Sequence, residues 1–217
     1  MKKLLCLALA ALMIFGLVGC TGNGLNTKGT TYAVSEELGA DDAQLSEFFG
    51  GNVKDELSVY SPILFSFVTA LYNYPEVLTQ TPDSNFGWSY LYTMLAVYDL
   101  RPNGVSDKDG SIVVTGEALD QLQKDTLGGA LWVAPGKDFA DRVSYNALDQ
   151  FFTCVDAEAS PYSFEITNAV YNTETSCADV TINMLDTDGS VLGSYVIAMR
   201  ASEESAYSYI ISRFWAA

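Results

Sequence analysis

The chain contains no histidine in 217 residues. That excludes Ser-His and Cys-His nucleophilic catalysis and every histidine-ligated metal site. Cations are scarce as well: 11 Lys and Arg stand against 27 Asp and Glu, a net charge of −16. Nucleic acid is therefore not an expected partner, because phosphate binding needs a basic footprint. Only four cysteines occur, and none are spaced C-x-x-C. This argues against a thioredoxin-like redox role and against a zinc ribbon. Ser-x-x-Lys, Gly-x-Ser-x-Gly and the glycine patterns of P-loops and dinucleotide folds are all missing. No catalytic, cofactor-binding or metal-ligating residue is expected, and no cofactor.

One clear address label is present at the N-terminus. Residues 1–20 read MKKLLCLALAALMIFGLVGC, with Lys2 and Lys3 ahead of an apolar run from Leu4 to Val18. Such a run has the length of a signal-peptide core and is short for a bilayer-spanning helix, which needs ~20 apolar residues. The closing Leu17-Val18-Gly19-Cys20 resembles the lipobox of bacterial lipoproteins. That resemblance implies cleavage before Cys20 and a diacylglycerol on its thiol. The plainer alternative is an ordinary secretory signal ending on a chance cysteine. Two or more acyl chains suffice for stable anchoring without a spanning segment.

The expected layout is a signal peptide at 1–19, a lipid-anchored flexible tether at 20–40 and a single extracytoplasmic domain at 41–217. Residues 21–30, TGNGLNTKGT, have the small, polar, Gly-rich composition of a flexible linker. Thr21 directly after the lipid-bearing cysteine implies, by the same resemblance, the outer membrane in a host with two membranes. After processing, Cys154 and Cys177 remain. Outside the cytoplasm they could form one disulfide, or stay as buried thiols where oxygen is scarce.

Within the body, a short helix is predicted around Asp42–Phe49. Ser61-Pro62 reads as the start of a second, buried helix running to about Tyr74, and Asn85 to Leu100 as a third. Ser111–Thr115 reads as extended, and Glu117–Leu127 as a helix stopped by Gly128-Gly129. Thereafter 162–171, 178–185, 190–201 and 206–215 are rich in β-branched and aromatic residues, with a hairpin signal at Asp186-Thr187-Asp188-Gly189. The fold class is α+β: a helical N-terminal half packed on a C-terminal antiparallel sheet of about four strands. The order distantly resembles cystatin-like and NTF2-like folds. It also resembles lipoproteins of gut Firmicutes, a likeness that implies no activity.

Candidate sites are few. Asp107, Asp109 and Gly110 resemble the middle of an EF-hand loop, but Val105 and Gly116 fall where the leading and the bidentate acids belong, so a turn is the better reading. Asp186 and Asp188 fail in the same way. Paired carboxylates could hydrolyse a glycan without histidine, but nothing selects a pair among the many acids, which read mainly as solvated surface. Glu165 and Asp179, flanking the predicted strands, would be the pair if one were forced, and neither is expected to be a site residue. The aromatic run Tyr60, Tyr72, Tyr74, Trp88, Tyr90, Tyr92 and Tyr98 reads mainly as core. Tyr207 and Tyr209 could turn a ring-bearing face outward. The expectation is a membrane-anchored, non-catalytic module on the extracytoplasmic face that binds an envelope protein or a glycan. A small carboxylate-dependent glycan hydrolase is the alternative.

Overall fold

In the computed structural model the described residues are 32–35, 38–39, 42–129 and 134–217. The residues read as a signal peptide, Cys20 and the expected tether up to residue 31 lie outside them. Four α-helices and nine strands in two sheets make up the described part.

Helix α1 (Ala43–Phe48) is capped by Asp42, which accepts from the Leu45 N–H at 2.9 Å through Oδ1. Helix α2 (Val53–Asn73) runs 21 residues and begins one turn after α1, capped by Asn52. It therefore starts nine residues before Pro62, and the predicted Ser61-Pro62 opening is corrected: the proline lies inside the helix. A proline there removes the N–H that would bond the carbonyl of Ser58. That carbonyl instead accepts the Ser61 hydroxyl at 2.8 Å. Ser66 and Thr69 likewise donate to the carbonyls of Pro62 and Phe65. A helix buried on nearly every side thus satisfies its own hydroxyls.

Helix α3 (Ser84–Tyr92) is capped by Asp83 and passes into a π turn over Thr93–Val97, where the Tyr98 N–H reaches the Thr93 carbonyl at 3.0 Å. The single helix expected from Asn85 to Leu100 is thus interrupted. Beyond the π turn, the Arg101 guanidinium bonds the Leu95 carbonyl and pairs with Asp99 at 2.6 Å and Asp107 at 3.0 Å, meeting the carbonyl end of the helix with a cation. Helix α4 (Gly116–Leu127) keeps the expected Gly128 stop, with φ of 76°.

The larger sheet has the order β1-β6-β7-β8-β9 and is formed by Tyr32–Val34, Ser163–Asn172, Cys177–Leu185, Val191–Ala201 and Tyr209–Ala216. All its pairings are antiparallel except that of β1 with β6. The smaller sheet, β2-β3-β5-β4, is antiparallel and uses Val105–Lys108, Ser111–Thr115, Phe151–Val155 and Val143–Asn146. The α+β class holds, whereas the single sheet of about four strands becomes two sheets of five and four.

Val180, Ile182 and Met184 on β7 are fully buried, as their alternation predicts. Phe65 of α2 stacks on Phe164 of β6 with centroids 4.5 Å apart and planes 7° from parallel. Trp88 of α3 reaches Phe152 of β5 at 5.1 Å. The helices are thereby joined to both sheets in one continuous buried cluster.

Candidate functional site

A cleft of about 550 Å³ opens where the C-terminal end of α2, the α3–π segment, the 138–142 stretch and the β5–β6 connection converge. Its volume falls in the range of small-molecule sites. The α2 end supplies Asn73 and Tyr74, and α3 supplies Ser89 and Tyr92. The π turn adds Thr93 and Val97; single π turns within helices often mark functional positions because the extra residue re-aims side chains.

The opposite wall comes from a short 3₁₀ turn (Lys137–Phe139) and the residues after it. Asn85 fixes this turn by accepting from the Asp138 N–H at 3.2 Å. Gly136 lies so close to Asn85 that an added Cβ would fall 2.0 Å from its Oδ1. Asp138 then receives the Tyr74 hydroxyl at 3.2 Å across the cleft. Burial, and next the Asp138 carboxylate, push the Tyr74 phenol up to about 12. Arg142 lies over the Tyr92 ring, 5.9 Å from its centroid. Its backbone is held on both sides, N–H to the Phe139 carbonyl and carbonyl from the Val155 N–H. Burial also raises the Tyr92 phenol, and the Arg142 charge opposes that shift. Glu158, Ser160 and Tyr162 complete the rim. The cleft therefore offers ring faces, amide and hydroxyl groups, two carboxylates and one guanidinium.

The residues singled out in the sequence fall elsewhere. Cys20 is outside the described residues. Cys154 and Cys177 are both buried free thiols, the second of the two states open to them. Cys154 is in β5 of the smaller sheet and Cys177 begins β7 of the larger. The Cys177 thiol donates to the Thr175 carbonyl at 3.3 Å, and burial pushes the Cys154 thiol up to about 12.

Asp109 and Gly110 form the two-residue turn between β2 and β3, with φ of 51° and 75°, as a primed hairpin turn requires. Asp186–Gly189 turns β7 into β8. Among the described residues no cluster of three or more acids and cysteines could hold a metal ion.

Glu165 and Asp179 are not a catalytic pair. Asn183 stands opposite Glu165, and Asp179 lies four residues further along β7, about 13 Å at the usual rise per residue. Glycoside hydrolysis needs its carboxyls about 5–9.5 Å apart. Tyr207 and Tyr209 face inward rather than outward: Tyr209 is buried and donates to the Phe48 carbonyl at 3.1 Å. Of the aromatic run, Tyr60, Trp88, Tyr90 and Tyr98 are core, whereas Tyr74 and Tyr92 line the cleft. Sequence reasoning missed Asp138, Arg142 and Glu158, which carry no shared spacing.

Fold and site together define an α+β protein with two sheets and an open amphipathic cleft. No family model, no curated protein and no solved structure matches the chain. No helix among the described residues is long and apolar enough to cross a membrane.

Proposed function

We propose that this is a lipid-anchored extracytoplasmic binding module, held on the membrane through Cys20, that takes an envelope component into the cleft between Tyr74 and Tyr162. The reading resembles that of bacterial lipoproteins at its N-terminus, and Leu17-Val18-Gly19-Cys20 supports it. One observation carries the binding part: Tyr74, Tyr92, Asp138, Arg142 and Glu158 come from four separate segments to line one open cleft. Ring faces give contact area at low entropic cost, and the polar groups set orientation. The anchor places the protein at the cell membrane, or the outer membrane in a host with two. Nucleic acid is not a partner, given the charge of −16.

A photo-crosslinking residue at Ala159, on the cleft wall, tests the binding reading in intact cells against the same residue at Leu148, which is 94% exposed and away from the cleft. An envelope component captured from 159 and not from 148 supports it. Equal or absent capture at both positions removes it. Cys20→Ala should release the protein from the membrane fraction, and retention would remove the anchor.

The second reading, a small carboxylate-dependent glycan hydrolase, rests on Asp138 and Glu158 lining the same cleft. Turnover of a glycan panel that is lost in both Asp138→Asn and Glu158→Gln would favour it.

A further inference from the structure

We infer that the cleft is built for a whole short peptide, with a free ammonium at one end and a free carboxylate at the other. This rests on the binding reading above and names the ligand class for the same site. The first observation is charge. Arg142 makes no ion pair among the described residues, yet its backbone is fixed at both ends and its guanidinium is seated over Tyr92. Glu158 lines the same cleft and likewise has no ion pair among the described residues, while the Asp138 carboxylate is already engaged by Tyr74. Opposite charges that share a cleft but leave each other unneutralised complement a ligand bearing both signs. A ligand of high negative charge is disfavoured by the field of a chain at −16, whereas a net-neutral zwitterion carries no such penalty.

The second observation is backbone. One wall of the cleft is the β5–β6 connection, and the N–H and C=O groups of Glu158, Ala159 and Ser160 make no hydrogen bond among the described residues. Pro161 follows directly and fixes its own φ at the end of that wall. Unused main-chain donors and acceptors beside a cleft are what a peptide backbone pairs with; a glycan has no regular amide ladder to offer. Arg142 then receives the peptide carboxylate, Glu158 the ammonium, and the Tyr74 and Tyr162 rings the side chains between. A cleft of about 550 Å³ has the size of a small-molecule site and suits a short peptide.

The test is calorimetric titration of the full-length protein in mild detergent with tri-alanine free at both ends. Its N-acetyl form, its C-terminal amide and neutral cellotriose serve as comparisons. Free tri-alanine should bind, and capping either end should weaken binding about tenfold, the loss of one charge-assisted hydrogen bond. The decisive readout is the pairing of variant with cap. In Arg142→Gln the free and amidated peptides should bind alike, and in Glu158→Gln the free and acetylated ones should. Both side chains are exposed, so neither substitution disturbs the core. Caps without effect, or no tri-alanine binding, overturn the inference. Cellotriose competing at the cleft with tri-alanine silent would overturn the peptide class while leaving the binding reading in place.

Discussion

On the proposed binding reading, the two sheets of this protein divide stability from recognition. The larger one uses strands of 8 to 11 residues beside the short β1, and it buries one face on α2 through Phe164, Ile182, Ile197 and their neighbours. The smaller one has strands of only 4 or 5 residues. Yet the segments that enter and leave the smaller sheet supply Asp138, Arg142 and Glu158. A site can be assembled on the weaker element when a buried layer beneath it fixes the framework, since regions near a site open locally at lower cost than the core.

The sharpest way to break this comparison is to remove one aromatic packed against each sheet. Phe65→Ala deletes a fully buried ring stacked on the larger sheet and should cost about 3–5 kcal/mol, lowering the melting temperature by roughly 10 °C. Tyr145→Ala, which removes a half-exposed ring 4.6 Å from Phe152 on the smaller sheet, should cost about 1 kcal/mol. Equal losses in thermal melts would end the division of roles.

Alkali sharpens it next. The phenols of Tyr74 and Tyr207 are raised to about 12, with burial the first cause for both. A raised folded pKa contributes stability that is fully present below the ordinary value near 10 and lost as pH climbs through the folded one. Stability should therefore fall between pH 10 and 12. Absorbance at 295 nm should show a late-titrating group of tyrosines that merges with the rest in denaturant.

A smaller effect is expected at Asp42. Its carboxylate caps α1 and also accepts from the Tyr171 N–H of β6 at 3.2 Å, so one side chain ties helix to larger sheet. The Leu45 N–H, chiefly, holds its carboxyl below the usual range. Asp42→Ala should cost about 1 kcal/mol at neutral pH in denaturant titrations. The difference from the parent should vanish as acid protonates the carboxyl, because a depressed folded pKa stabilises only above it. The smallest signal is a zero: intact mass without reductant should show no loss of two hydrogens across Cys154 and Cys177.

What could be read from sequence follows the same split. The long strands of the larger sheet alternate between faces for eight residues or more, and α4 carries both a Thr115 cap and a Gly128 stop, so local pattern and tertiary burial agree there. The smaller sheet offered less. Phe151–Val155 and Val143–Asn146 are too short for periodicity to separate strand from loop, and β1 has only three residues. Pro62 misled the start of α2 because the Ser61 hydroxyl takes over the bond that the proline gives up. The cleft was half visible: Tyr74 and Tyr92 stood out as aromatics, but their neighbours Tyr60, Trp88 and Tyr90 are core, and nothing local separates the two groups. Asp138, Arg142 and Glu158 meet only after the chain has folded.

The parallel seam between β1 and β6 has a mechanical consequence. Tyr32, Ala33 and Val34 lie in register with Phe164, Glu165 and Ile166, the Ser35 N–H bonds the Ile166 carbonyl at 3.1 Å, and the Tyr32 ring leans on Phe65. Any pull transmitted through the residues ahead of Tyr32 enters the body along this strand. A load directed along the strand axis is shared by all the seam's bonds at once, whereas one directed across it opens them singly. The seam would thus resist a pull along β1 and yield to one that levers the strand sideways.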